Sequence, residues 1–163
     1  MEGLTSNQKG AIAELLFAAA AVRAGYDVFR PISEHGRADL LLDSGDRLLR
    51  IQCKWGKLQG DVIKAWFRTS RHTPSLGYVN TTYDESEIDA IGVYCEGTGD
   101  CYLLPISLIS GKTGIHLRVK PAKNNQRIGL QWAEQYRLGA IAQLGERRAG
   151  SAKVAGSSPA SST

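Results

Sequence analysis

The sequence predicts an α/β or α+β fold in which a mixed central β-sheet is flanked by helices. Two observations carry this expectation: a long alanine-rich helical pattern near the start, and a run of mostly adjacent short apolar strands after it. The bulk properties agree. A chain of 163 residues with 42% hydrophobic and 22% charged side chains has room for one domain with a real core.

Residues 6–24 form the clearest element. Thr5 and Gln8 fit a capping box, Ile12, Leu15, Leu16, Ala19 and Val22 mark a packing face, and Gly25 stops the helix. Short strands follow at 26–31, 38–43 and 48–55, the last two joined by a turn at Ser44-Gly45-Asp46. Over 62–70, Ile63, Ala65, Phe67 and Thr69 alternate with Lys64, Trp66 and Arg68, which favours another strand. Residues 71–87 read as a long polar loop. A hairpin at 88–94 and 101–105, a last strand at 116–119 and a short helix at 129–137 complete the domain, which is expected to span 1–138.

Charge and cysteine usage narrow the function classes. No apolar run approaches membrane-spanning length, and the first residues lack the basic and apolar regions of a signal peptide. Cys53, Cys95 and Cys101 leave one thiol unpaired under any disulfide scheme, which points to a reducing cytoplasm. Cys95 and Cys101 could face each other across the hairpin, without the further ligands that zinc requires. The net charge is +4, and residues 139–163 supply +2 of it through Arg147, Arg148 and Lys153 against Glu146. A nucleic-acid surface on the domain must therefore come from local placement of charge.

The chemistry-bearing pattern is Asp39 on one apolar strand, then Gln52-x-Lys54 on the next, across a tight turn. An aspartate can hold a hard divalent cation, and a lysine beside it can serve an attacking water or a phosphate oxygen. Metal-dependent nuclease sites are usually built so, but with a second carboxylate where Gln52 stands. The missing oxygen donor can be the Gln52 side-chain carbonyl or the Cys53 backbone carbonyl. Glu14, four residues after Gly10 on the first helix, can restore the lost charge. The spacing alone fits equally well a strand-ending aspartate, a snorkelling lysine and a solvated glutamate.

The wider pattern adds to this. Lys9-Gly10-x₃-Glu14, Asp39 and Gln52-x-Lys54 together resemble the PD-(D/E)XK nuclease superfamily, and within it the group I intron-associated homing endonucleases that carry Gln-x-Lys. The segments Phe67-Arg68-Thr69-Ser70, Glu87-Ile88-Asp89, Tyr102-Leu103-Leu104-Pro105, Lys123-Asn124-Asn125-Gln126 and Gly129-x-x-Trp132-Ala133-x-x-Tyr136 extend the likeness over roughly 5–137. The usual proline before the first catalytic acid is replaced by Ala38. The resemblance implies a restriction-endonuclease-like core with Glu14, Asp39, Gln52 and Lys54 as the active site. It also implies Mg²⁺ or Mn²⁺ held by Asp39, Gln52, the Cys53 carbonyl and Glu14, and metal-assisted phosphodiester hydrolysis. The expected partner is double-stranded DNA, cut at a specific site by a homo-oligomer (dimer or tetramer), since one small domain carries one site and two strands must be cut. A Holliday-junction resolvase-like nuclease and a DNA-binding protein whose site has decayed are the rival readings.

DNA contacts are expected from polar and basic residues that interrupt core-like strands. Lys64, Trp66, Arg68 and Ser70 fall on one face of their predicted strand and Arg71 begins the loop beyond, an arrangement suited to a β-ribbon in the major groove. Lys123, Asn124, Asn125 and Gln126 suit phosphate and adenine contacts. Lys9, and His35 with Arg37 just ahead of Asp39, are expected to meet the DNA backbone near the cut. A solvated strand face and a plain turn explain the same residues without DNA.

Residues 139–163 lack aromatic side chains and end in Ser, Ala and Pro, so they are expected to be disordered or a frayed helix. Their codons are more informative. Residues 142–147 can be written GCT CAG TTG GGA GAG CGN, like a tRNA D-arm, and 156–159 GGT TCG AGT CCN, like a T-arm. Codons for Gly139, Ala140 and Ile141 can pair with those ending Ala160 and covering Ser161 and Ser162, as an acceptor stem would. The frame reads as passing through a whole tRNA gene, a place where mobile elements commonly sit.

Overall fold

The computed structural model describes residues 3–33, 36–73, 77–121 and 129–139, with the backbone alone at 69–73 and 77–80. The first helix, α1 (Ser6–Arg23), begins as the sequence implies. Thr5 accepts the Gln8 backbone N–H at 3.3 Å, and the Gln8 side chain takes the Thr5 N–H at 2.9 Å. Gly25 follows with φ +89°, a left-handed conformation that favours glycine and ends the helix.

The strands are β1 (Asp27–Phe29), β2 (Leu40–Asp43), β3 (Leu48–Gln59), β4 (Val62–Trp66), β5 (Thr69–Thr73), β6 (Gly77–Thr81), β7 (Ala90–Cys95) and β8 (Asp100–Pro105). A four-residue helix α2 (Ile106–Ile109), β9 (Gly114–Arg118), β10 (Gln131–Trp132) and a 3₁₀ turn (Ala133–Tyr136) close the described domain. The main sheet is mixed and mostly antiparallel, in the order β1-β2-β3-β4-β9-β10, with β7 parallel to β3 and β8 antiparallel to β7.

The sheet separates two cores. On one side α1 buries Ala13, Phe17 and Ala21 against Ile51, Cys53, Ala90 and Leu103. A Cβ at Gly92 would lie 2.7 Å from the Phe17 ring, so this glycine lets helix and sheet meet. On the other side Ile63, Ala65, Phe67, Tyr83, Ile91, Val93 and Leu117 pack together.

Several expectations are corrected. The strand over 48–55 continues to Gln59, because Leu58 packs into the second core and 56–59 pair with β4. The strand over 62–70 ends at Trp66, and the loop over 71–87 contains the two-stranded ribbon β5–β6. The helix over 129–137 is instead β10 and a 3₁₀ turn, with φ +73° at Gly129. Cys95 pairs with Asp100 and Cys101 with Tyr94, so the two thiols sit in different cores and do not face each other.

Candidate active site

The site begins with how β3 uses its two edges. Ile51 is in register with Leu40 of β2 and with Ala90 of β7, and Gly56 with Ala65 of β4 and with Cys95 of β7. A strand has two edges, so β2 and β4 must share the one opposite β7. Between them, residues 52–55 have no strand partner on that edge. Asp39, at the foot of β2, fills part of this notch. Its N–H donates to the Ile51 carbonyl at 2.8 Å, and its Oδ2 accepts the Cys53 N–H at 2.7 Å. A side chain here does what a neighbouring strand does elsewhere.

Asp39 is half-buried, and burial pushes its carboxyl above the ordinary aspartate range, against the Cys53 and Gln52 hydrogen bonds and the Lys54 charge. Glu14 on α1 is raised as well, first by burial and then by the negative charge of Asp39. The two carboxyls line one pocket of about 190 Å³ with Arg30, Pro31, Ser33, Gly36 and Ala38. Two carboxyls in one part-buried pocket, with Glu14 raised in part by the Asp39 charge, form a place where added positive charge is favourable.

Gln52 and Lys54 alternate onto the face of β3 that looks to the second core. The Gln52 amide nitrogen donates to Asp39 Oδ2, while its carbonyl accepts the Tyr83 hydroxyl at 3.1 Å. The Lys54 ammonium stands 5.6 Å from the Tyr83 ring centroid. Glu14, Asp39, Gln52 and Lys54 are thus brought together. Among the described residues no three His, Cys, Asp or Glu side chains cluster. A divalent ion here would take its anionic oxygens from Asp39 and Glu14, and neutral ones from the Cys53 carbonyl or water; the Gln52 carbonyl, an expected ligand, is turned to the Tyr83 hydroxyl while the amide nitrogen faces Asp39. Mg²⁺ suits such a set, because it commonly binds one or two carboxylates and keeps several waters.

The residues expected to touch DNA are more scattered. Arg37 has partners within the protein: its guanidinium pairs with Glu87 at 3.0 Å, donates to Thr81 Oγ1 and the Thr82 carbonyl, and lies 4.6 Å from the Tyr83 ring centroid. It is spent on holding the segment after β6. Lys64 is in register with Lys57 and His116, and Trp66, 61% exposed, meets His116 edge-on. By alternation from Gly56 and Ala65, Lys64 and Trp66 lie on the face of Ile51 and Cys53, not that of Gln52 and Lys54. Lys57 is five residues past Gln52, roughly 17 Å along the strand. Ser70 and Arg71 belong to the separate ribbon, so the single face expected for Lys64, Trp66, Arg68 and Ser70 is divided between two sheets. Arg68 is exposed between them, and Lys9 is half-buried on α1. His35 and Lys123, Asn124, Asn125 and Gln126 lie outside the described residues.

Two residues at the site escaped the sequence reading. Arg30 pairs with Glu14 at 2.9 Å from the rim of the pocket. Tyr83 touches Gln52, Lys54 and Arg37 at once. Neither has a periodic or motif signal: one follows a three-residue strand and the other sits in what reads as a loop. Only tertiary structure brings them in.

Comparisons with known proteins agree with this architecture. A bacterial homing endonuclease of known structure, I-Ssp6803I, is similar with a TM-score of 0.68 and 23% identity, over 92% of this chain and 98% of that one. At that identity the likeness concerns the fold. No curated protein matches the chain. The family model of the PD-(D/E)XK endonucleases matches residues 4–139. The match covers both cores and the notch of β3, and the chain belongs to the PD-(D/E)XK endonuclease family.

Proposed function

We propose that this nuclease is a Mg²⁺-dependent, site-specific endonuclease of homing type that cuts both strands of DNA as a homo-oligomer. The observation that carries the reading is the pair of half-buried carboxyls, Glu14 and Asp39, that line one pocket beside Lys54, both raised by burial and Glu14 also by the Asp39 charge. Family members generally use divalent metals, and this donor set fits one. When bound, such an ion polarises the phosphate and makes a water nucleophile available near neutral pH.

The chain's own residues do the rest. Cys53 N–H and the Gln52 amide both hold Oδ2 of Asp39 and neither uses Oδ1, so the carboxylate is fixed with one oxygen toward the pocket. Lys54 sets an ammonium beside the notch, where it orients the attacking water or offsets charge growing on the phosphate. Gln52 acts within this group as an amide, and Gln52→Glu should keep a metal site while Asp39→Asn should lose it. The nuclease domain is taken to end near 138, and 139–163 to be a tRNA gene read as protein.

Selection of cleaved sites from a randomised duplex library with Mg²⁺ tests the reading. One recurrent sequence cut on both strands, with no cutting by Asp39→Asn, supports it. Preference for four-way junctions would assign a resolvase-like activity instead. Binding without any metal-dependent nicking would mark a decayed site, with Gln52 as the lesion.

A further inference from the structure

We infer that Tyr83 is a positioning residue of the catalytic site, whose hydroxyl makes Gln52 present its amide nitrogen, and not its carbonyl, to Asp39. The inference rests on the proposed roles of Asp39, Gln52 and Lys54 and goes one layer behind them. Tyr83 is 3% exposed within the second core, two residues after β6. Its hydroxyl donates to Gln52 Oε1 at 3.1 Å, and the other end of that amide donates to Asp39.

The logic is one of donors and acceptors. An ionised Asp39 only accepts, so the amide end facing it must be N–H₂. That choice turns the Gln52 carbonyl inward, where it needs a donor of its own, and a half-buried carbonyl without one is costly. The Tyr83 hydroxyl is that donor. A carboxylate at position 52 would have two like ends and need no such selection. The amide therefore requires a tyrosine behind it, and Tyr83 is held in turn by Arg37, which bonds Thr81 and Thr82 and lies over the ring.

The test uses the full chain and Tyr83→Phe, which keeps the ring and its cation contacts. With ¹⁵N-labelled glutamine, the Gln52 side-chain amide is identified by its loss in Gln52→Glu. Its two proton signals should be well separated and slow to exchange in wild type. In Tyr83→Phe they should move together and exchange at least about tenfold faster. In cleavage, kcat should fall at least about tenfold, as when the support behind a metal ligand is removed, with KM for DNA within about twofold. In the Gln52→Glu background the same Tyr83→Phe change should cost less than about threefold. An unmoved Gln52 amide, or an equal loss in both backgrounds, overturns the inference and leaves Tyr83 a packing residue. If Gln52→Glu does not cleave, the amide spectrum decides alone. If wild type does not cleave, the catalytic reading fails, while the spectrum still tests the Tyr83–Gln52 contact.

Discussion

Two aspartates grip β3 from its opposite edges by the same device, and only one belongs to the candidate site. Asp39 donates its N–H to the Ile51 carbonyl and accepts the Cys53 N–H; Asp89 donates to the Arg50 carbonyl at 2.9 Å and accepts the Arg50 N–H at 2.8 Å. The difference is what else reaches the carboxylate. Arg50 adds its guanidinium to Asp89 at 3.0 Å and ties off the Glu85 and Ser86 carbonyls, and its hydrogen bonds hold the Asp89 carboxyl below the usual range. Asp39 receives an uncharged amide and is pushed up by burial. One backbone solution thus serves a clamp where an arginine bonds the carboxylate directly and a site where an uncharged amide takes that place.

Exchanging the two roles by mutation should break the comparison most sharply. Asp39→Asn should lower cleavage by at least about three orders of magnitude, more than loss of one hydrogen-bond donor does, without destabilising the metal-free fold. Lys54→Ala should abolish cleavage too, yet leave metal-free DNA binding largely intact in a gel-shift titration. Cleavage surviving in either variant would remove Asp39 or Lys54 from the chemistry. Asp89→Asn should do the reverse. It should cost about 1–2 kcal/mol in urea unfolding, since its charge-assisted bonds are partly solvated, and retain cleavage at temperatures where it is folded.

pH sharpens the contrast because the two carboxyls shift in opposite directions. Asp39 and Glu14 have folded pKa values above their unfolded ones. Their contribution to stability is fully present below the unfolded carboxylate range and lost as pH rises through the raised folded values. Asp89 has a lowered folded value, so its contribution is present above the unfolded value and lost as pH falls through the folded one. In chelator, Asp39→Asn should therefore melt above wild type near pH 7, with the gap closing toward about pH 4. The Asp89→Asn deficit should be full near pH 7 and shrink below about pH 4. Mg²⁺ should raise wild type and not Asp39→Asn. Parallel melting curves at all pH values would remove the distinction between clamp and site.

What the sequence revealed follows the range of the interactions involved. The capping box at Thr5 and Gln8, the stop at Gly25 and the alternation of Ile63, Ala65 and Phe67 are local, and each stands where the residues imply. The β5–β6 ribbon was not legible, because its residues are polar and its pairing is fixed by contacts at its base, such as Arg37 to Thr81 and Thr82. The partners of Arg37 were hidden for the same reason: nothing local to it signals Glu87, fifty residues on, which pairs with it. Asp39, Gln52 and Lys54 were legible as a motif. The direction in which the Gln52 amide faces depends on Tyr83 and was not.

The smallest expected effect concerns Gly10, one turn before Glu14 on the same helix face. Glycine inside a helix costs about 0.5–1 kcal/mol relative to alanine. Packing gives no reason for it here, since a Cβ at Gly10 would meet nothing within 4 Å. This differs from Gly92, where the Phe17 ring leaves no room. Under the proposed function, the open space over Gly10 beside the candidate catalytic acid Glu14 is where a DNA phosphate would approach α1. Gly10→Ala should therefore stabilise the free protein by about 0.5–1 kcal/mol while weakening DNA binding and cleavage together. A variant that is more stable and fully active would show that nothing approaches α1 there, and would leave Glu14 to act from a distance.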